Sequence, residues 1–533
     1  MSLHIRQKKN SSGTISIQII DRVHRKYKVI ETIACVKNDL DLQIYLDVAN
    51  KRLEELRQQM YPTLFDENKN EELIFIELGN NDLIPIGDEL IYGKLFERLG
   101  CSSVDLDCKR LQMFKNLVVS RLLYPGSKLY LIDYLEYFKK ESVDKNAIYR
   151  FLDTLYEENL KLQIEKCVFD HTYAKMNQTI AFTFYDVTTL YFESESEDDL
   201  RRIGFSKEGK LARPQIQLGL FTTLQGYPLS FEVYEGNKYE GHTLVDVLKK
   251  FQNKFQLKNK PVVVADRGML NNNNLVYLEN NGYKYILAAK IKNISNDLKE
   301  QISNLIFLND GVTHTLKFNK DIPYTDENDN KQSININQRL VLSYSTARAK
   351  KDKHNRDKAL ERLKKKIEFS KSITKKDLKL SYYAKYLNID DHKCDITFNI
   401  NNQKVDNDSK LDGIKGFITN DFTLTPSEII EHYNNQYAVE QAFRISKTDL
   451  KIRPIYHRLE TRIKAHILIS FVSYSIYKEF DSKLKENNIK FKFSQKLLRD
   501  IIKHMFALRT NGKLVYLKFD EIQQQVYNAI KNS

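Results

Sequence analysis

Between residues 181 and 290 the sequence alternates short apolar runs with amphipathic ones, and their order leaves few folds open. AFTFYDV (181–187) reads as a strand with Asp186 set among apolar neighbours. PQIQLGLFTTLQGYPLSFEVYEG (214–236) reads as two strands joined at Gln225-Gly226, a turn pair. His242 to Phe251 has helical spacing, and PVVVADRG (261–268) is a buried strand that ends at Asp266. Leu270 to Asn281 is helical again, and YKYILAAK (283–290) is the next strand.

Strand, strand, strand, helix, strand, helix, strand is the order of an α/β mixed sheet flanked by helices, of the ribonuclease-H-like kind. Residues 291–410 interrupt it as a basic, β-containing insertion with alternating segments at Val312–Phe318, Ser333–Tyr344 and Cys394–Ile400. The insertion also holds a very basic helix, Ala347 to Ile367, which carries Arg348, Lys364, Lys365 and Lys366 among ten cationic side chains. It is a solvated face or a DNA-contacting one. The core resumes at GIKGFITN (413–420).

After that strand, TPSEIIEHYNNQYAVEQAFRISK (425–447) reads as one helix. Thr425 is its N-cap, Pro426 fits the first helical position, and Glu428 completes a capping box. At about 100° per residue, Tyr433, Gln436, Glu440 and Lys447 share one narrow polar stripe. Glu440 is therefore the acid this helix offers, unless the stripe is only the wet side of a salt-bridged amphipathic helix.

A chain of 533 residues is too long for one compact core. The sequence divides as an N-terminal β-hairpin and helix (1–86), a helical region (87–176), the core (177–290 and 411–480), the insertion (291–410) and a C-terminal helical region (481–533). In the first, Ile15, Ile17 and Ile19 share a strand face, and Tyr27 to Thr32 pairs back. Cations surround this hairpin, which is a DNA-contacting module or a solvated one. In the second, Tyr124-Pro125-Gly126 breaks the helical pattern, and Ser142 is placed to cap the helix of Asn146, Tyr149 and Arg150. Those helices form a helix-turn-helix or pack generically. A net charge of +14 favours a polyanionic partner, most simply nucleic acid. Five cysteines without a C-x-x-C pair argue against a zinc site or a disulfide framework. No apolar run approaches 18 residues, so a soluble protein in a reducing cytoplasm is expected.

Three acids thus stand in distinct contexts: Asp186 within a strand, Asp266 at a strand end, Glu440 on a helix stripe. If the first two strands are parallel neighbours, their backbones lie only about 4.8 Å apart. Two carboxylates so close repel each other unless a hard divalent cation, Mg²⁺ or Mn²⁺, lies between them. A third carboxylate can complete two metal positions that act on a phosphodiester.

These residues resemble the DDE transposases of bacterial insertion sequences, in the group with the signature Y-x-x-R-x-x-x-E-x-x-x-x-x-x-K. Here the signature reads Tyr433, Gln436, Glu440, Lys447, with glutamine where the group has arginine. The resemblance extends through FYDVTTLYFE (184–193), GFSKEGK (204–210), EGN (235–237), ADRGM (265–269), FRISKTDLKIRPIYH (443–457) and RIKAHILISF (462–471). It implies that Asp186, Asp266 and Glu440 are the catalytic triad and hold Mg²⁺, with Mn²⁺ as substitute. It implies that Tyr433, Gln436 and Lys447 contact DNA phosphates, Gln436 without the bidentate reach of a guanidinium. It also implies a bacterial protein, cytoplasmic and associated with the nucleoid when active, that binds double-stranded element ends and target DNA as a homodimer. The expected function is metal-dependent strand cleavage and strand transfer. The alternatives are a structure-specific nuclease of the same fold and a catalytically inactive DNA-binding remnant. Some members of the group excise through a DNA hairpin and stack a tryptophan on a flipped base; this chain has none, so a hairpin, if made, would rely on a tyrosine such as Tyr382 or Tyr383, or on a phenylalanine, in the insertion.

Overall fold

The computed structural model describes residues 3–23, 26–60, 82–205, 209, 213–307, 309–325, 330–369, 386–392, 395–489, 494–510 and 513–531. Tyr382, Tyr383 and Cys394 lie outside the described residues. The chain forms two compact units, one of Met1–Leu83 with Arg509–Lys513 and one of Ile84–Leu508 with Leu514–Ser533.

In the first unit, β1 (Leu3–Lys9), β2 (Ile15–Val23) and β3 (Lys26–Val36) form an antiparallel sheet in that order, and α1 (Asp39–Met60) covers it. Ile17 and Ile19 are fully buried, as alternation requires, and Ile20 faces Val29 across the return strand. The third strand comes from the first residues of the chain. It is too polar to announce itself, and Arg6 packs over the Tyr27 ring at 4.1 Å.

In the second unit, after a helical stretch at Asp88–Arg98, come α2 (Cys108–Leu123), α3 (Lys128–Tyr134), α4 (Lys145–Leu155) and α5 (Glu158–Lys175). The cap of α4 is Asp144, whose carboxylate accepts from the Asn146 and Ala147 amides at 3.1 Å each, and not Ser142. Asp144 stands directly before the first helical residue, where a short acceptor reaches the free N–H groups. Next come β4 (Phe182–Tyr191), β5 (Gln215–Thr222), β6 (Pro228–Glu235), α6 (Thr243–Phe255), β7 (Val262–Ala265), α7 (Asn272–Asn280) and β8 (Tyr285–Ala288). Then β9 (Thr313–Thr325), β10 (Lys331–Tyr344), α8 (Thr346–Phe369), β11 (Ile414–Thr419), α9 (Pro426–Asn434), α10 (Tyr437–Thr448), α11 (Glu460–Glu486) and α12 (Gln495–Lys503) follow.

One eight-stranded sheet runs β9-β10-β11-β8-β7-β4-β5-β6. β4, β7 and β8 are parallel neighbours, while β5 and β6 return antiparallel through a turn at Gly226, whose φ of +81° suits glycine. This is the ribonuclease-H-like arrangement. Two strands of the 291–410 stretch join it: β9 and β10 extend the edge beyond β11. Successive residues of β4 serve opposite faces. Phe184 and Leu190 enter the core beneath α2, α10 and α11, whereas Tyr185 and Val187 enter the core beneath α6 and α7. α2 and α4 both pack against α11, so their apolar faces are spent inside the unit.

Two charged clusters tie helices to this core. Glu165 of α5, fully buried, and Glu232 of β6 are each 2.8 Å from the ammonium of Lys254 on α6. Burial pushes the Glu165 carboxyl up, against the pull of Lys254 and Lys161. On α11, Glu479 faces His171 (3.3 Å) and Lys175 (3.0 Å) of α5 and accepts from the Tyr227 hydroxyl at 3.2 Å. Burial opposes ionisation of Glu479, but His171 and Lys175 outweigh it and hold the carboxyl down at about 2. A depressed carboxylate contributes stability above its unfolded value of about 4.3 and loses it as pH falls through the folded value. Glu479→Gln is therefore expected to lower the denaturation midpoint at pH 7. The gap to wild type should close between about pH 4.5 and pH 2 in denaturant titrations run across pH; a constant gap would place the effect in packing.

Candidate active site

β4 and β7 run parallel with Tyr185 opposite Ala265, so the next residue of each, Asp186 and Asp266, also fall side by side. Asp266 ends its strand and is exposed, while Asp186, inside its strand, is half-buried. The Asp186 Oδ1 accepts from the Val187 amide at 2.8 Å. Ligand sites in open sheets with parallel strands form at carboxyl ends of this kind.

The 425–447 segment supplies the third acid, but not as one helix. α9 begins as expected, with the Thr425–Glu428 capping box and Pro426 in the first turn. It stops at Asn434, and a tight turn through Asn435 and Gln436 starts α10. The bonds there tighten to i→i+3: Gln436 donates to the Tyr433 carbonyl (3.0 Å) and Ala438 to that of Asn435 (2.8 Å). Two consecutive asparagines, weak helix formers, coincide with that tightening.

This kinked segment touches the sheet at both ends of its polar stripe. The Tyr433 hydroxyl donates to Asp266 Oδ1 at 3.2 Å, and its ring lies 4.8 Å from that of Phe417 on β11. Burial, then the charges of Asp266 and Asp186, push the Tyr433 phenol up, so it stays a donor. Seven residues beyond Glu440, the Lys447 ammonium donates to Thr188 Oγ1 at 2.8 Å, and Thr188 shares the Asp186 face of β4. Glu440 lies midway along the stripe, exposed, while Val439, Ala442 and Phe443 of the same helix are buried. Gln436 is buried at the start of α10. The fold thus pairs Asp186 with Asp266 and sets Glu440 on the helix clamped over them. Among the described residues, no three His, Cys, Asp or Glu side chains gather closely enough to hold a metal ion. The donor chemistry nevertheless suits a hard cation: all three groups are carboxylates, on or beside one sheet face.

A transposase DDE domain profile matches residues 177–476, the stretch that builds this arrangement. The chain belongs to that family. No curated protein matches it. Among solved structures, the piggyBac transposase in a synaptic complex with hairpin DNA is similar at 9% identity over 79% of each chain, with a TM-score of 0.36. The Mos1 mariner paired-end complex with Mn is similar at 11% identity over 30% of this chain and 54% of that one, with a TM-score of 0.15.

In this transposase a cleft of about 840 Å³ opens beside Asp266 and Tyr433. Arg348, from the first turns of the basic helix α8, reaches it, as do Lys290, Lys292 and Lys415. Lys364 and Lys365 are exposed on the same helix, 16 and 17 residues further along, roughly 25 Å away. The side chain of Lys366 lies outside the described ones. The sequence reading missed Thr188, Phe417 and the lysines after β8. Thr188 was findable, two residues after Asp186 on one strand face; Phe417 was not, since its strand reaches the site only through sheet order. No described helix is long and apolar enough to cross a membrane.

Proposed function

We propose that this transposase binds the inverted-repeat ends of its own element as a homodimer in the bacterial cytoplasm, cuts a strand at each end and joins the freed end to target DNA. The observation that carries the reading is the pairing of Asp186 with Asp266 at adjacent parallel strands, beneath the kinked α9–α10 segment that carries Tyr433 on α9 and Glu440 and Lys447 on α10. In this reading Asp186, Asp266 and Glu440 are the catalytic carboxylates. Bound by them, Mg²⁺ or Mn²⁺ would neutralise their repulsion and polarise the scissile phosphodiester. Tyr433 holds the Asp266 carboxylate in place. Lys447 and Arg348 offer cations to phosphates on either side of the acids, and Gln436 supports the turn beneath them. Water attack frees a 3′-hydroxyl, which then attacks target DNA in line.

The test is joining. A donor with terminal inverted repeats, incubated with the full chain, Mg²⁺ and a target duplex, is expected to give joined product. Cleavage without joining would fit the nuclease of the same fold, and neither would fit the inactive remnant.

The basic helix supplies sequence-independent affinity in this reading. Lys364, Lys365 and Lys366 changed together to Gln are expected to weaken specific and random duplexes alike. Each lost phosphate contact flattens the salt dependence by about 0.9 in log–log slope. An unchanged slope would place this end of α8 away from DNA.

A further inference from the structure

A second cleft, of about 990 Å³, lies between the α2–α3 turn, the segment after α10 and the helix α12. Seven lysines and arginines line it against one carboxylate, Asp500. Asp500 is already engaged with Lys503 at 3.2 Å. The floor holds two buried basic side chains, Arg121 and Lys128. The Arg121 guanidinium, 4% exposed, donates to the carbonyl of Lys451 at 3.1 Å and that of Leu450 at 3.4 Å. It also meets His466 Nδ1 at 3.3 Å. His466 Nε2 lies 2.8 Å from the Ile452 carbonyl, which can only accept, so that nitrogen carries the proton and Nδ1 accepts from Arg121.

Lys128 is the residue the fold leaves unexplained. It is 7% exposed, and among the described residues no hydrogen bond or ion pair engages its ammonium. Burial, then the charge of Arg121, pushes its pKa well down. The same surroundings hold His457, on the cleft wall, down at about 4, through burial first and then Lys128 and Arg121. A buried ammonium without a partner is costly to keep charged, and an anion seated in the cleft would remove that cost. At the mouth, Tyr130 and Tyr456 are 50% and 72% exposed. Flat rings beside a cationic floor suit a phosphate that carries a sugar and a base.

We propose that this cleft is a phosphate-binding site, separate from the acidic cluster, and that its occupant is a phosphate of a DNA strand. The phosphate chemistry stands on the cleft alone; the DNA occupant rests on the reading of the chain as a transposase that binds DNA. Arg453 connects the two places. It sits over the Tyr191 ring at 5.3 Å, at the far end of β4, five residues or about 16 Å along the strand from Asp186.

The test uses the full chain in EDTA, so that it does not depend on cleavage. Inorganic phosphate is expected to raise the melting temperature of the wild type over chloride of matched ionic strength, and Lys128→Met is expected to abolish that rise. The variant alone should melt at or above the wild type, since it removes a buried, unpaired amine and keeps the stem; a merely structural lysine would move it down. A short single-stranded oligonucleotide, followed by fluorescence anisotropy, should bind Lys128→Met about tenfold more weakly and be displaced by phosphate. Should Lys128→Met not fold, Lys496→Gln, on the exposed wall, is expected to weaken both ligands. No phosphate effect on the wild type would overturn the site. A Lys128-dependent phosphate effect with unchanged oligonucleotide affinity would overturn the DNA occupant and leave a site for a free phosphate compound.

Discussion

Asp186→Asn, Asp266→Asn and Glu440→Gln are each expected to cut strand cleavage by at least ~10³-fold, about 4 kcal/mol of transition-state stabilisation, and to leave binding of element ends measurable. Each change is nearly isosteric and removes one negative charge. Asp266→Asn keeps an oxygen to accept from the Tyr433 hydroxyl, now 3.2 Å away, so the local frame should survive. Asp186→Asn likewise keeps an acceptor for the Val187 amide. Single-turnover cleavage of an end duplex and a gel-shift of the same duplex separate the two effects. Near-normal cleavage in any one variant would remove that residue from the proposed triad. Ca²⁺ in place of Mg²⁺ should support binding without cutting, because Ca²⁺ tolerates loose geometry that in-line transfer does not.

Lys254→Met should be the most damaging single change to stability, by about 3–5 kcal/mol at pH 7. Lys254 faces two buried carboxylates at once, Glu165 and Glu232, each at 2.8 Å. Glu232 keeps Lys250 at 3.3 Å and Lys161 at 3.5 Å, but Glu165 is left with Lys161 alone, at 3.9 Å. Glu165 already sits above its ordinary value because of burial. Without Lys254 it rises further, so the variant should lose stability as pH rises and recover part of it as pH falls toward 5. Glu165→Gln added to Lys254→Met should recover part of the loss at pH 7. Chemical denaturation at pH 5 and pH 7 checks both statements. A variant within about 1 kcal/mol of wild type at pH 7 would show that the remaining lysines carry the neutralisation.

Much of the core was legible because burial on both faces of a sheet leaves apolar runs that need no alternation to be read. The strands of Asp186 and Asp266, the Gln225-Gly226 turn and the Thr425 capping box follow from local chemistry, and the structure places them within a residue or a few of where the sequence does. The kink at Asn435 and Gln436 was harder. The helical period passes through it unbroken, and only the two asparagines hint at it. The α4 cap was misread by two residues, because Ser142 and Asp144 are both good caps and only geometry chooses between them. The Leu3–Lys9 strand is so polar that its pairing partner, not its pattern, makes it a strand.

The sequence by itself determined the order of the elements and the family signature, and it singled out the three acids proposed as the triad, since each is written in neighbouring residues through periodicity, capping and motif spacing. Only the tertiary structure decided which distant groups meet. It set Asp186 against Asp266 through a parallel register, laid Tyr433 and Lys447 on the sheet at either end of Glu440, and brought Arg348 to the cleft while carrying Lys364 and Lys365 away from it. It also buried Lys128 beside Arg121, which no local pattern foretells. The physical reason is the same throughout. Hydrophobic period and capping act within a few residues, whereas charge pairing and clefts depend on contacts between segments hundreds of residues apart, and those are fixed only when the sheet closes around its core.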